Sequence, residues 1–407
     1  MSLFSNRVIG NGGRGTTAVA TVCLATGLAL ALPQLSMAVE EGDLPEEVFE
    51  PVDEEIRMLE APEPDERRVY VASQDGFGVI NRIFPIDGDT GRLLGMIDAG
   101  KLADVNLTRA GDTIVVGQTL YSRIATGDRF DFVAIHDPRT LEVRKEIELP
   151  DDTRPLNMTM LSMSGLSLDE RFYLYHQWTP RMGVGVVDLD RGEYVNFIAA
   201  RGCHYVYPYG ERRFLMKCTD RSLLDVAYDE QGEAVSERRI EEFRPEDTHF
   251  FNISAHDRQG GKLFFVSFDG SAFPVDLGDE AQAGEPWDLL TEEERDAGWA
   301  PGGWQVAAYH RDSERLFVLM DQRAPWTHKT ASRYVYVYDT QSGERVDEIA
   351  LGRAVDSLAL SQDEEPLLFA LAGDTAELHI YDANTGRYKD TVDELGAGPL
   401  VVLTADF

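Results

Sequence analysis

The chain has 407 residues, with 38 Lys and Arg against 72 Asp and Glu, for a formal charge of −34. With 43% hydrophobic and 10% aromatic residues it can bury a large core, which excludes a wholly disordered chain. Clustered Lys and Arg are what phosphate backbones and anionic membranes require, so the acidity argues against nucleic-acid and membrane-surface partners. Only six of the basic residues are Lys. That composition suits solubility in salt and is silent about chemistry.

Residues 1–38 hold no Asp or Glu and carry Arg7 and Arg14 as their charges. An apolar run from Thr17 to Leu32 follows, then Pro33 and the small-residue site Ser36-Met37-Ala38. A basic start, a short apolar run and an A-x-A-like end make a secretory signal, with cleavage expected between Ala38 and Val39. Sixteen apolar residues are short for a membrane span. The mature chain is therefore expected in the periplasm. Export removes Cys23 and leaves Cys203 and Cys218. In an oxidising compartment, two cysteines fifteen apart read as one disulfide rather than half of a metal site.

Residues 39–66 are acidic and Pro-rich and read as an arm outside the folded core. From Arg67 to Phe407 the texture is uniform: short β-branched and aromatic strands between turn clusters. One unit recurs, a strand ending in Asp, a Gly-containing or polar turn, then a second strand. Its Asp residues are 87, 137, 188, 229, 276, 339 and 382, spaced by 50, 51, 41, 47, 63 and 43 residues. Seven units at that period predict an all-β chain, a seven-bladed β-propeller with one four-stranded sheet per blade. Each Asp carboxylate is expected to cap turn N–H groups. Polar turns at 108–113, 167–171, 257–261, 312–314 and 361–366 lead into strands and read as inner hairpins of blades two, three, five, six and seven. His256 and His310 fall at matching strand-to-turn positions in blades five and six. In the longest gap, Thr291 and Glu294 form a capping-box pair and Pro301-Gly302-Gly303 ends anything helical, so a short inserted helix is expected between blades five and six.

No nucleophile elbow, zinc-binding HExxH, P-loop or dinucleotide fingerprint occurs, and no His pairs with another at i+3 or i+4. No residue of this chain is assigned a catalytic or metal-binding role. His328, in a polar loop, stands open as a ligand, a base or a hydrogen-bonded surface side chain. Asp269, in SFDG, reads as a tight-turn residue. Phe77 is a bulky apolar residue between two glycines (DGFGV), placed either on a face of the ring or folded back on its own blade.

Several long segments are similar to one known family. GWAPGGWQVAAYHRDSERLFVLMDQRAPWTHKTASRYVYVYDTQSGERV (298–346), FPIDGDTGRLLGMIDAG (84–100), YSRIATGDRFDFVAIHDP (121–138), VGVVDLDRGEYV (184–195) and SQDEEPLLFAL (361–371) resemble the heavy subunit of methylamine dehydrogenase. The heavy subunit of aromatic amine dehydrogenase shares the layout. The resemblance implies a periplasmic assembly of two heavy and two light subunits. The light subunit would carry tryptophan tryptophylquinone and the catalytic residues, and this chain would bind no cofactor. A primary amine, methylamine foremost, would leave as aldehyde and ammonia, with electrons passing to a blue-copper protein. The resemblance also implies that Cys203 and Cys218 form the single heavy-subunit disulfide and that Phe77 lies at the mouth of the substrate channel. The readings that compete with it are a stand-alone exported propeller hydrolase and a binding module.

Overall fold

The computed structural model describes residues 59–74, 80–151, 153–155 and 159–406. They form seven antiparallel sheets of four or five strands and one short helix. The architecture is the seven-bladed β-propeller. Blades are numbered by their Asp turns, and strands are lettered a to d from the axis outward.

Blade 1 closes the ring. Its a strand, Pro399–Thr404, is the last of the chain, and its b, c and d strands are Arg68–Gln74, Asn81–Asp87 and Ile97–Ala99. The a–b ladder pairs Tyr70 with Leu403 and Val71 with Val402, so opposite ends of the sequence share one sheet. Without that pairing the ring would present two open sheet edges. In the other six blades, four strands follow one another outward.

The core lies between blades, where large side chains from the b strands interleave. Phe172, Phe214, Phe265, Phe317 and Phe369 occupy b strands of blades 3 to 7 and are each exposed by 2% or less. Burying one such ring stabilises by roughly 1.5–3 kcal/mol. The a strands line an axial cavity of about 200 Å³ to which all seven contribute, among them Asn106, Ser164, Pro208, His256, Ala307, Leu358 and Val402. At one end the cavity is crossed by ion pairs between blades. Arg311 binds Asp257 at 3.0 Å, and Arg258 lies 3.4 Å from Asp406 beyond the last strand.

The turn chemistry accounts for the repeat. Asp87, Asp137, Asp188, Asp229, Asp339 and Asp382 each accept backbone N–H groups two to four residues ahead, at 2.7–3.1 Å. Asp276 departs from the expectation. Its strand runs one residue further, to Leu277, and its exposed carboxylate instead pairs across the hairpin with Lys262. The five inner hairpins fall where the sequence placed them, between the a and b strands of their blades. The histidine match is off by one residue. His310 pairs with Arg315 as Asp257 pairs with Lys262, so His256 is the counterpart of Tyr309. A one-residue offset in a strand reverses the face, and the two imidazoles point to different surroundings.

The helix, Glu292–Asp296, is the inserted one, with both halves of the Thr291–Glu294 capping box formed. It links a short strand on the blade 5 sheet, Trp287–Asp288, to one on the blade 6 sheet, Trp299–Pro301. None of its residues is buried, but its flanks are anchored. Tyr338 donates to the Leu289 carbonyl at 2.6 Å, Arg345 binds Glu294 at 2.6 Å, and Trp299 packs edge-on against Tyr334. The insertion fills the outer seam between two blades.

Residues 59–67 run against the ring. Ala61 is buried and its N–H donates to Arg139, whose guanidinium pairs with Glu60 and Glu63. Signal cleavage at Ala38 and Val39, and most of the acidic arm, lie outside the described residues.

Candidate functional face

The propeller has two unlike ends. One carries the a–b and c–d hairpins, with their repeated Asp turns. The other carries the b–c loops and the d–a crossings between blades, and no two of these are alike. Six exposed large apolar side chains sit at this second, loop face: Ile80, Leu120, Ile124, Phe130, Trp178 and Trp326. Three features build it.

The first is the blade 2 hairpin. Strands Ile114–Arg123 and Thr126–His136 are several residues longer than their neighbours and project beyond the sheet. At the tip Ile124 is 73% exposed and holds φ +61°. A β-branched residue in the left-handed region is strained, and such strain collects where a surface is put to use.

The second is the blade 6 loop between Gln322 and Ser332. Arg323 wires it from inside: its guanidinium donates to the carbonyls of Ala300, Thr327 and Thr330 and to Ser332 Oγ at 2.6–3.2 Å. The frame holds Trp326 75% exposed at φ +66°. His328, left open by the sequence, stacks on Phe268 with ring centroids 3.8 Å apart, and its pKa is lowered by burial and by Lys329. It acts as a neutral packing ring. His249 bridges Phe268 and Trp326, stacked on the first and edge-on to the second. Asp269 is the turn residue expected, accepting from Ser267 Oγ beside Gly270 at φ +82°.

The third spans blades 3 and 4. Cys203 opens the blade 4 a strand and Cys218 ends its b strand. They are direct cross-strand partners joined as a disulfide. Beside it, His176 is fully buried, and desolvation together with His204 takes its pKa down to about 4, so it is neutral at pH 7. His204 stacks against Trp178 at 6.3 Å. Lys217 runs over the Tyr205 ring at 4.7 Å, and burial lowers its pKa to about 8. Outside Trp178 lies a groove of about 690 Å³ between the b–c loop and the d–a crossing of blade 3. Its polar groups are Arg181, whose guanidinium lies 4.4 Å over the Phe197 ring, and Arg201.

Phe77 falls at positions 75–79, outside the described residues. The strands that bracket it, Arg68–Gln74 and Asn81–Asp87, are the b and c strands of blade 1 and open toward the loop face. The histidine–aromatic arrays and the basic groove escaped the sequence reading, because each joins residues from two or more blades.

Among the described residues no group of three or more His, Cys, Asp or Glu could hold a metal ion. The five Trp meet His, Phe and Tyr rings or a Lys, and no indole meets another. The face offers aromatic anchors, neutral imidazoles and guanidinium groups, the equipment of a surface that binds other chains.

Comparison with known proteins decides which surface this is. The profile of the methylamine dehydrogenase heavy chain (MADH) family matches residues 65–406. The chain belongs to the methylamine dehydrogenase heavy chain family. Heavy chains of that name from Paracoccus versutus and Methylobacillus flagellatus are 41% and 38% identical, over 86% and 88% of this chain and 82% and 89% of theirs. The one from Methylorubrum extorquens is 35% identical over 96% of this chain and 95% of its own. Among solved structures, a protein of unknown function from Desulfotomaculum acetoxidans aligns with TM-score 0.56 at 16% identity, over 84% of this chain and all of its own. A dihydro-heme d1 dehydrogenase aligns at 0.51 and 14%, over 86% and 78%. These two establish the shared propeller alone. The protein is thus a heavy subunit of an amine-oxidising oxidoreductase, a chain whose name entails a lighter companion.

Proposed function

We propose that this heavy chain is exported to the periplasm, loses residues 1–38, and assembles as two heavy and two light subunits into a tryptophan tryptophylquinone-dependent dehydrogenase. The enzyme oxidatively deaminates a primary amine, methylamine foremost, to aldehyde and ammonia, and passes the electrons to a blue-copper protein. The observation that carries this reading is the family match across 65–406, which takes in every blade.

The quinone supplies the electron sink, and the residues here do not fit it. It is made from two Trp side chains of one chain, and none of the five indoles of this chain lies against another. The cofactor and the proton-transfer groups therefore belong to the companion. The heavy chain contributes a rigid ring, a loop face with exposed aromatic anchors, and Phe77 at the rim of the substrate path.

The test is reconstitution. The purified heavy chain alone should not reduce a dye with methylamine. Co-expression with the light chain and its maturation factors should give amine-dependent dye reduction and a quinone absorbance that bleaches on adding amine. Amine-dependent activity from the heavy chain alone would refute the assignment.

A further inference from the structure

The groove on blade 3 stands apart from its protein electrostatically. The chain carries 72 acidic residues against 38 basic ones, and Arg side chains elsewhere are routinely matched, as Arg171 is by Asp188 and Arg213 by Asp225. Arg181 and Arg201 are not. Both are exposed, and no carboxylate among the described residues pairs with either. None of the other groove residues (Trp178, Pro180, Met182, Phe197, Ala199 and Gly202) is acidic.

The groove is also built. Gln177 Nε2 donates to the Arg181 carbonyl at 3.1 Å, and the Ala200 N–H donates to the Met182 carbonyl at 3.2 Å. The Gly202 N–H meets Met182 Sδ at 3.2 Å. The two walls are thereby stitched together, with Arg181 laid on Phe197 and Trp178 left 47% exposed over its His204 partner.

Two exposed guanidiniums beside two aromatic rings do not resemble the charge-depleted centre of a permanent interface. They resemble a small, charge-steered surface that a partner visits and leaves. In a chain of charge −34, such a patch is also the one place where an acidic protein escapes repulsion.

We infer that this groove docks the electron acceptor, and that the acceptor meets it with a carboxylate-bearing surface around an apolar side chain. The inference rests on the dehydrogenase reading above and names the charge its acceptor must carry. In each turnover one amine and one water yield aldehyde, ammonia, two protons and two electrons. Two acceptor molecules each take one electron, Cu(II) becoming Cu(I), and the protons go to solvent. The groove moves none of these particles; it sets how often the acceptor arrives oriented.

The experiment uses the assembled enzyme and two engineered versions of one blue-copper protein, one with an acidic face around its copper edge and one with those Asp and Glu changed to Lys. The acidic version should be reduced with a KM at least tenfold lower at low salt, an advantage that shrinks as salt is added. In R181E/R201E the preference should reverse while the light subunit stays bound on gel filtration. A preference unmoved by the substitution, or reduction of neither copper protein by an enzyme that reduces dye, overturns the inference. Loss of the light subunit from the variant overturns it too, because the groove would then belong to the permanent interface. Failure of the wild-type enzyme to reduce dye with any amine would instead strike the dehydrogenase reading.

Discussion

Asp356 offers a direct test of the electrostatics that hold the loop face together. It sits in the crossing from blade 6 to blade 7, where its carbonyl accepts from the N–H groups of Trp304 and Gln305. Its carboxylate receives Gly373 N–H at 3.1 Å and Ser357 Oγ at 3.4 Å, with no cation opposite. Burial is the main cause that raises its pKa from 3.8 to about 6, and Asp374 adds to it. The neutral form is therefore the one the fold prefers. The contribution is favourable below the unfolded pKa and is lost as pH rises through the folded one. At roughly 1.4 kcal/mol per tenfold, holding this carboxylate ionised at pH 7.5 costs the fold about 3 kcal/mol, and at pH 5 about half of that. Asp356→Asn keeps the shape and an acceptor for Gly373 and removes the charge. With an unfolding entropy of about 2 cal/mol/K per residue over this ring, 3 kcal/mol corresponds to a rise of about 4 °C in Tm. Calorimetry of variant and wild type should show the variant more stable at pH 7.5 and its advantage roughly halved at pH 5. Equal stabilities at both pH values, or an advantage that grows toward acid, would refute the argument.

Asp225→Ala should be far more damaging. Asp225 is fully buried between blades 4 and 5 and accepts from Tyr209 Oη at 2.5 Å, Arg238 Nη2 at 2.9 Å, Arg213 Nη2 at 3.1 Å and Ala281 N–H at 3.2 Å. Stranding those donors should cost about 3–5 kcal/mol, read as a lower midpoint in urea, and a loss under 1 kcal/mol would show the network is dispensable. Removing the disulfide in C203A/C218A releases a fifteen-residue closure that stabilises by roughly 3 kcal/mol, so a Tm drop of a few degrees is expected, abolished if wild type is assayed fully reduced. Phe77→Ala should shift the ratio of kcat/KM between methylamine and a bulky amine by about tenfold or more with the subunits still assembled, and an unchanged profile would remove Phe77 from the channel.

What the sequence disclosed was what is local. An Asp that caps its own turn needs only residues two to four ahead, so the repeat can be counted without knowing which strands pair. Closure by Pro399–Thr404 against Arg68–Gln74 follows once seven units are counted in a ring. Asp276 broke the rule because strand length, which the turn does not encode, carried the ladder on to Leu277. The match of His256 with His310 failed because register is fixed by pairing, and one residue separates Asp257 from His256. The stacked pair Phe268 and His328 lies sixty residues apart on different blades, and no periodicity announces it.

The two ends of the ring differ for the same reason. On the turn face every blade solves one problem, closing a hairpin, and solves it with one residue type. On the loop face each connection departs from its neighbours: a projecting hairpin in blade 2, a Trp held out by a buried Arg in blade 6, a basic groove in blade 3. Each departure costs the fold something. Ile124 and Trp326 sit in left-handed backbone, and Arg181 and Arg201 stand without counter-charges. A heavy chain that served only as ballast would have no need of these costs, because the turn face shows how cheaply a blade can be closed. Their concentration on one end places the meeting with companion and acceptor at that end, and a heavy chain whose seven loops were trimmed to blade 4 length should keep its ring and lose its companion.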